Sequence, residues 1–369
     1  MGINVKEFVD KIVSTYKIEE FCGVSDSTLK HLINYLIDLG QYTPFTNEGD
    51  AVAYAAGRTL AGHPTAILMQ NSGLTNASSP ISSLNSLYKI PTVYIVGWRG
   101  CQEFGEFKDE PQHRIVGRNT KEIISSISEN KSIVTIDSSC NLNQRIYNDP
   151  KISQMFYLIT PGTFDEYDCL SSEKYGGQLS RYNCIKKLVS LCKGRDDVVI
   201  VSTTGHTSRE LMSFGEFSPN NFYMLGSMGC IVPFAYGIAK SCPDKKIIIL
   251  DGDGSLLMRP EGLIVCSQFK SITNVLHIIF NNMSHLSTGG QSLPYSKIID
   301  KFVDSMTYSF KIPSQVEFTR RLDTWLNSEV DNKSTLIVNV NSTAVNDLPR
   351  PTSTPEEIAD RFAKGLKSK

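Results

Sequence analysis

The stretch IIILDGDGSLLM at residues 247–258 and its continuation IIFNNMSHLSTGGQ at residues 278–291 set the architecture. Each half opens on a short apolar run rich in Ile and passes directly into Gly, Asp, Asn and Ser. A strand covered on both faces by helices reads this way, because neither face needs polar residues. In an open parallel sheet, ligands bind beyond the carboxyl ends of the strands. Both polar segments fall at such ends. The residues between them are enough for one crossover helix, so the two strand ends are expected to be neighbours.

The residue types suit a hard divalent cation. Asp253 offers a carboxylate oxygen, Asn282 a side-chain carbonyl, and the backbone near Ser284 a third oxygen; Mg2+ takes a few such oxygens together with water and phosphate. Gly252 and Gly254 let a ligand approach the backbone. The N–H groups of Gly254 and Ser255, at the start of the next helix, suit a phosphate. GDGS alone is a common tight turn with a helix cap. Asn281 and Asn282, at the end of the following apolar strand, favour the cation-binding reading.

Outward from this motif the same rhythm repeats. Apolar runs at 65–69, 92–96, 133–136, 198–201 and 336–340 read as further buried strands. Helical spacing runs over 26–39, 48–60, 260–269 and 356–366. Strands alternating with helices imply parallel sheets with right-handed crossovers. The pattern occurs twice, so the expected fold is α/β with two domains at 1–161 and 179–369, joined by a polar, aperiodic linker at 162–178.

The composition excludes several classes. A hydrophobic fraction of 40% with 20% charged residues describes a globular chain, and a formal net charge of −1 provides no field to attract nucleic acid or anionic lipid. No apolar run is long enough to span a bilayer. The beginning, MGINVKEFVDKIV, is amphipathic and charged, unlike a secretory signal. The nine cysteines are dispersed without a CxxC pair and read as reduced thiols. Cytoplasm, with neither nucleic acid nor membrane as partner, is the expectation.

GDG, then 26 residues, then NN resembles the diphosphate-binding signature of thiamine-diphosphate enzymes. The resemblance implies that Asp253, Asn282 and the Ser284 carbonyl hold Mg2+. LGSMG at 225–229 is similar to a segment that precedes this signature. There Met228 would wedge the cofactor into a bent form, the Gly226 carbonyl would accept from its aminopyrimidine, and Ser227 lies between them. STTGHTS at 202–208 resembles the loop that holds the diphosphate from its other side, with Thr204, Gly205 and His206 at its centre. FTNEGDAVAYAAGRTLAG at 45–62 resembles the pyrimidine-binding segment, with Glu48 as the glutamate that bonds the pyrimidine ring. Taken alone, Glu48 is an ordinary first-turn acid. The fold implied is two thiamine-diphosphate-binding-type domains with no middle domain. The active site implied lies between subunits of a homodimer or larger assembly.

GVSDSTLK (23–30), QNSGLTN (70–76), GWRG (97–100), KDEPQH (108–113) and HLSTGGQ (285–291) narrow the likeness. They resemble the phosphonopyruvate decarboxylases, whose near relatives are the sulfopyruvate decarboxylases. A phosphonate substrate needs cations or N–H groups around it. Arg99, Lys108, His113, His285 and the Gly289–Gly290 backbone are the candidates, beside Ser25 and Asp26. For Arg99 and Lys108 the alternative is a solvated surface charge. For His113 and His285 it is a structural histidine. Asp26 either relays a proton or caps the helix that follows it. Three positions depart from the family pattern: Ser25 where Pro is common, Cys230 where His often follows GSMG, and Arg259 where His often follows the Leu-Met of the motif. Three rival readings remain at this stage: the same chemistry on sulfopyruvate or another 2-oxo acid, a non-catalytic cofactor-binding or regulatory subunit, and a plain α/β scaffold in which GDGS and NN are turns.

Overall fold

Two sheets of six parallel strands, each covered by helices, make up the chain. The computed structural model describes residues 2–101, 109–169, 177–293, 297–328, 333–343, 345, 348 and 352–367. The chain divides into two compact units, Met1–Ser172 and Glu173–Lys369. The apolar runs form strands as expected.

In the first unit the strands are β1 (Glu20–Gly23), β2 (Tyr42–Pro44), β3 (Thr65–Gln70), β4 (Thr92–Gly97), β5 (Lys131–Ile136) and β6 (Gln154–Ile159). Their order is β2-β1-β3-β4-β6-β5. All pairs are parallel. The chain leaves β1 toward one edge and resumes at β3 on the other side, so the direction of winding reverses between β1 and β3. A crevice opens at such a point. Helices α1 (Val5–Tyr16) and α2 (Lys30–Asp38) pack Phe8, Ile12, Leu32 and Ile33 on one face of the sheet. The other face is covered by α3 (Glu48–Leu60), through Ala51, Val52 and Ala55. These small side chains bring α3 close to the strands.

In the second unit the strands are β7 (Val198–Ser202), β8 (Asn221–Tyr223), β9 (Lys246–Gly252), β10 (Val275–Asn281), a two-residue hairpin of β11 (Ser284–His285) and β12 (Gln291–Ser292), β13 (Ser309–Ile312) and β14 (Ser334–Asn339). The main sheet runs β13-β14-β10-β9-β7-β8, again all parallel. Winding reverses between β7 and β9. As the motif implies, β9 and β10 are neighbours, with Gly252 opposite Phe280.

Two differences from the sequence reading have local causes. The helix read over 26–39 starts only at Lys30, because Asp26 turns back to accept from the backbone N–H groups of Thr28 (3.1 Å) and Leu29 (3.2 Å). The side chain therefore stabilises a turn ahead of the helix. The stretch read as a linker begins against the first unit: Phe164 enters that core, and Tyr167 donates its hydroxyl to Asp38 at 3.0 Å. All nine cysteines are free thiols. Among the described residues, no helix is long and apolar enough to cross a membrane.

Candidate active site

Four loops at the carboxyl ends of β7, β8, β9 and β10 converge in the second unit. Ser255 ties three of them: its hydroxyl accepts from Thr203 Oγ1 (2.9 Å) after β7 and from the Gly229 N–H (3.3 Å) after β8. Ser255 stands in the short helix Asp253–Met258 that follows β9. Thr204 and Gly205 lead into the helix His206–Met212, and Gly205 takes φ 78°, a conformation glycine supplies without strain. The segment around Gly226 turns sharply, with positive φ at Ser227 (56°) and Gly229 (85°). Met228 reaches across to the helix after β9, where a Cβ added to Gly254 would sit 3.3 Å from its Cε and 3.2 Å from His285 Cε1. Gly254, Met228 and His285 thus share one confined space. Arg259 packs its stem on Gly229, so two positions that depart from the family pattern, Cys230 and Arg259, lie together.

The polar groups facing that space have unusual partners. Asp253 is buried; its Oδ1 accepts from the Gly254 N–H at 2.9 Å, while Oδ2 is buried without a hydrogen-bond partner. Burial pushes its carboxyl up to about 6. Asn282 is buried at the end of β10, its Oδ1 accepting from the Ser284 N–H at 3.2 Å. An orphaned carboxylate oxygen and a side-chain carbonyl oxygen at neighbouring strand ends suit a hard cation. His285 ends the first strand of the β11–β12 hairpin, whose turn carries Gly289 and Gly290. Its Nε2 is buried without a partner, and burial lowers its pKa to about 4. His206 is lowered to about 4 as well, by burial and then by Arg181 and Arg209. Both histidines are therefore neutral at pH 7. Sequence reasoning missed buried Glu210 and its partner, the half-buried Arg181 (2.8 Å), whose charge bears on both His206 and Asp253.

In the first unit two groups form, again at carboxyl strand ends. Glu48 begins α3 behind the N-cap Asn47 and is 5% exposed. Its Oε2 accepts from Asn76 Nδ2 at 2.8 Å. A Cβ on Gly73 would come within 2.6 Å of Glu48 Oε1, so only glycine leaves that carboxyl its position. The second group gathers Asp26 after β1, Asn71 after β3 and Arg99 after β4. Arg99 is bidentate to Asp109, with Nε to Oδ2 at 2.8 Å, and its Nη1 donates to Ser27 Oγ at 2.8 Å. Asn71 fixes the Arg99 backbone from both sides, donating to its carbonyl (2.9 Å) and accepting from its N–H (3.2 Å). The Arg99 guanidinium holds Asp109 well below the usual carboxylate range, against the effect of burial. His113 lies close, since a Cβ on Gly100 would strike its carbonyl at 2.3 Å, and burial with Arg99 lowers its pKa. Ser25 is half-buried beside Asp26. Arg99 is thus neither a solvated charge nor an isolated clamp. Its partner Asp109 lies within the KDEPQH segment. Lys108 lies outside the described residues.

Asp26 is wholly buried, with Oδ1 lacking a partner, and a Cβ on Gly97 would overlap its Oδ2 at 1.9 Å. Burial pushes its carboxyl up to about 6, with Arg99 and the backbone N–H groups opposing. The native state therefore holds this proton more tightly than the unfolded chain does. That contribution to stability is present below about pH 4 and is lost as pH rises toward 6. Two pH units correspond to about 3 kcal/mol. Asp26→Asn keeps an acceptor for Thr28 and Leu29 and removes the charge. Urea denaturation across a pH series should show no gain at pH 4 and a stabilisation approaching about 3 kcal/mol above pH 7. An effect of the same size at every pH would rule out this assignment.

Comparison with known proteins follows the same division. Residues 3–129 match the family model for the thiamine pyrophosphate enzyme N-terminal TPP binding domain, and residues 203–314 match that for the C-terminal TPP binding domain. Phosphonopyruvate decarboxylase of Streptomyces viridochromogenes is 30% identical over 364 residues, covering 92% of this chain and 89% of its own. The phosphonopyruvate decarboxylase of Streptomyces hygroscopicus is 30% identical over 363 residues, with 92% and 88% covered. A sulfopyruvate decarboxylase of Methanosarcina acetivorans is 26% identical over 323 residues, with 81% of each chain covered.

Proposed function

The chain belongs to the thiamine pyrophosphate enzymes, among the decarboxylases of the phosphonopyruvate and sulfopyruvate type, and we propose that it converts 3-phosphonopyruvate to phosphonoacetaldehyde and carbon dioxide. The observation that carries this substrate is the likeness to two phosphonopyruvate decarboxylases over nearly the whole chain, at higher identity and coverage than the sulfopyruvate enzyme. The role that follows is in phosphonate biosynthesis in the cytoplasm.

Thiamine diphosphate supplies, when bound, the electron sink that a departing carboxylate requires. The residues of this chain hold it and manage protons. The orphaned Asp253 Oδ2, Asn282 and the Ser284 carbonyl hold Mg2+. Thr204, Gly205, His206, Gly252, Gly254 and Ser255 cradle the diphosphate. Gly226, Ser227 and Met228 shape the space for the rings. Glu48 would face the pyrimidine and take up and return a proton at its carboxyl. Two copies of the chain associate, so that Glu48 of one and Asp253 of the other grip opposite ends of the cofactor.

Substrate charge falls to Arg99 and the Gly289–Gly290 backbone, with Ser25 alongside. Burial, with Arg99 beside His113, lowers the pKa of both His113 and His285, which disfavours a charged clamp and leaves them to proton transfer. Asp26, at about 6, shares that part. A phosphonate is dianionic near neutral pH and a sulfonate monoanionic. Arg99→Ala should therefore lower kcat/KM for phosphonopyruvate by roughly 100-fold, and for sulfopyruvate by only about tenfold. Carbon dioxide release from phosphonopyruvate, sulfopyruvate and pyruvate, assayed in parallel, tests both claims. Sulfopyruvate turning over faster in the unaltered enzyme would replace the substrate. An equal loss for both acids in Arg99→Ala would remove Arg99 from the clamp.

A further inference from the structure

Strands β9 and β10 are central and covered on both faces, so each should be apolar throughout. On the face formed by Ile247 and Ile249 of β9 and by Val275 and Ile279 of β10, two polar side chains interrupt the core. They are Asp251 and His277, 1% and 2% exposed. Asp251 stands opposite Ile279, which makes His277 its diagonal neighbour on the same face. Asp251 Oδ2 accepts from His277 Nε2 at 3.2 Å, and Oδ1 accepts from the Gly252 N–H at 2.9 Å. His277 Nδ1 is buried with no partner, so the Nε2 contact to Asp251 is what holds the ring.

Stability does not account for this pair. A buried ionic or polar pair usually gains no more than well-packed apolar residues of the same volume would. Its place in the fold offers another reason. Asp251 lies two residues before Asp253, and His277 five residues before Asn282. One carboxylate therefore links the strand that delivers Asn282 to the first N–H of the turn that delivers Asp253. Sliding or splaying of the two strand ends would break both contacts.

We infer that Asp251 and His277 form a positioning brace that fixes the spacing of the two cation-binding oxygens, and so sets metal affinity. This rests on the reading of Asp253 and Asn282 as metal ligands. Outer groups that orient metal ligands commonly govern affinity by 10- to 100-fold.

The test is Mn2+ titration of the full chain in the presence of thiamine diphosphate, reading free Mn2+ by its electron paramagnetic resonance signal, with thermal melts of the cofactor-free protein alongside. His277→Leu and Asp251→Ala should each weaken Mn2+ binding by about tenfold or more. The double variant should be no weaker than the weaker single, since both remove one brace. His277→Gln, which keeps a donor near the Nε2 position, should stay within about threefold of the wild type. A His277→Leu or Asp251→Ala protein that folds and binds Mn2+ like the wild type would overturn the brace. The same holds if His277→Gln is as weak as His277→Leu, or if neither truncated variant folds with cofactor present, which would make the pair a folding element. A wild-type protein that takes up no Mn2+ with thiamine diphosphate would sink the proposed function instead.

Discussion

Glu48→Gln retains thiamine diphosphate and loses turnover by a factor of roughly 10² to 10⁴, the usual range for removing a positioned proton carrier. The substitution is close to isosteric. The glutamine carbonyl can still accept from Asn76 Nδ2, the contact that Glu48 Oε2 makes at 2.8 Å. Asn47 still caps α3 through the Gly49 N–H, so the helix start does not depend on the charge at 48. Only the capacity to take up and return a proton is removed. Calorimetric titration with thiamine diphosphate and Mg2+ should therefore give an affinity within several-fold of the wild type, while single-turnover decarboxylation slows by the full factor. A Glu48→Gln protein with undiminished kcat would remove Glu48 from the chemistry. A protein that loses both binding and turnover would make Glu48 a binding residue only.

The parts that sequence made legible share one property: they are written in contiguous residues. Helix α3 was expected over 48–60 and spans Glu48–Leu60, because Asn47, the acids of the first turn and the alanine stripe all lie within it. The GDG and NN segments were expected at adjacent strand ends, and β9 and β10 pair directly. What stayed hidden depends on distant residues. Arg99 reads as a lone cation until Asp109 returns to it ten residues later, and nothing local announces that return. His277 reads as a polar interruption of a strand until β10 pairs with β9 and brings Asp251 beside it. The edge strands β2, β8 and β13 are three or four residues long with little alternation of their own, so the neighbouring strand specifies them. Asp26 reads as a helix cap, yet it stabilises a turn ahead of a helix that starts at Lys30, and its complete burial against Gly97 depends on β4.

Asp253→Asn should weaken Mg2+ binding by more than about 100-fold, or about 3 kcal/mol, and with it the binding of thiamine diphosphate. The same change should stabilise the protein when no cofactor is present. The two effects have opposite sign because one atom is responsible for both. Asp253 Oδ2 is buried and has no hydrogen-bond partner, so ionising that carboxyl costs free energy in the empty protein, as its upward-shifted pKa reflects. An amide at this position keeps the oxygen that accepts from the Gly254 N–H and removes the uncompensated charge. A divalent cation reverses the balance, since the charge that burdens the empty site is what binds the metal. Thermal melts should therefore cross: Asp253→Asn melts above the wild type in chelator, and below it with saturating thiamine diphosphate and Mg2+. A surface turn with no ligand would give parallel shifts in both conditions. A variant less stable than the wild type in chelator would mean that the carboxylate is satisfied within the protein alone, and Asp253 would no longer be a cation ligand held in waiting.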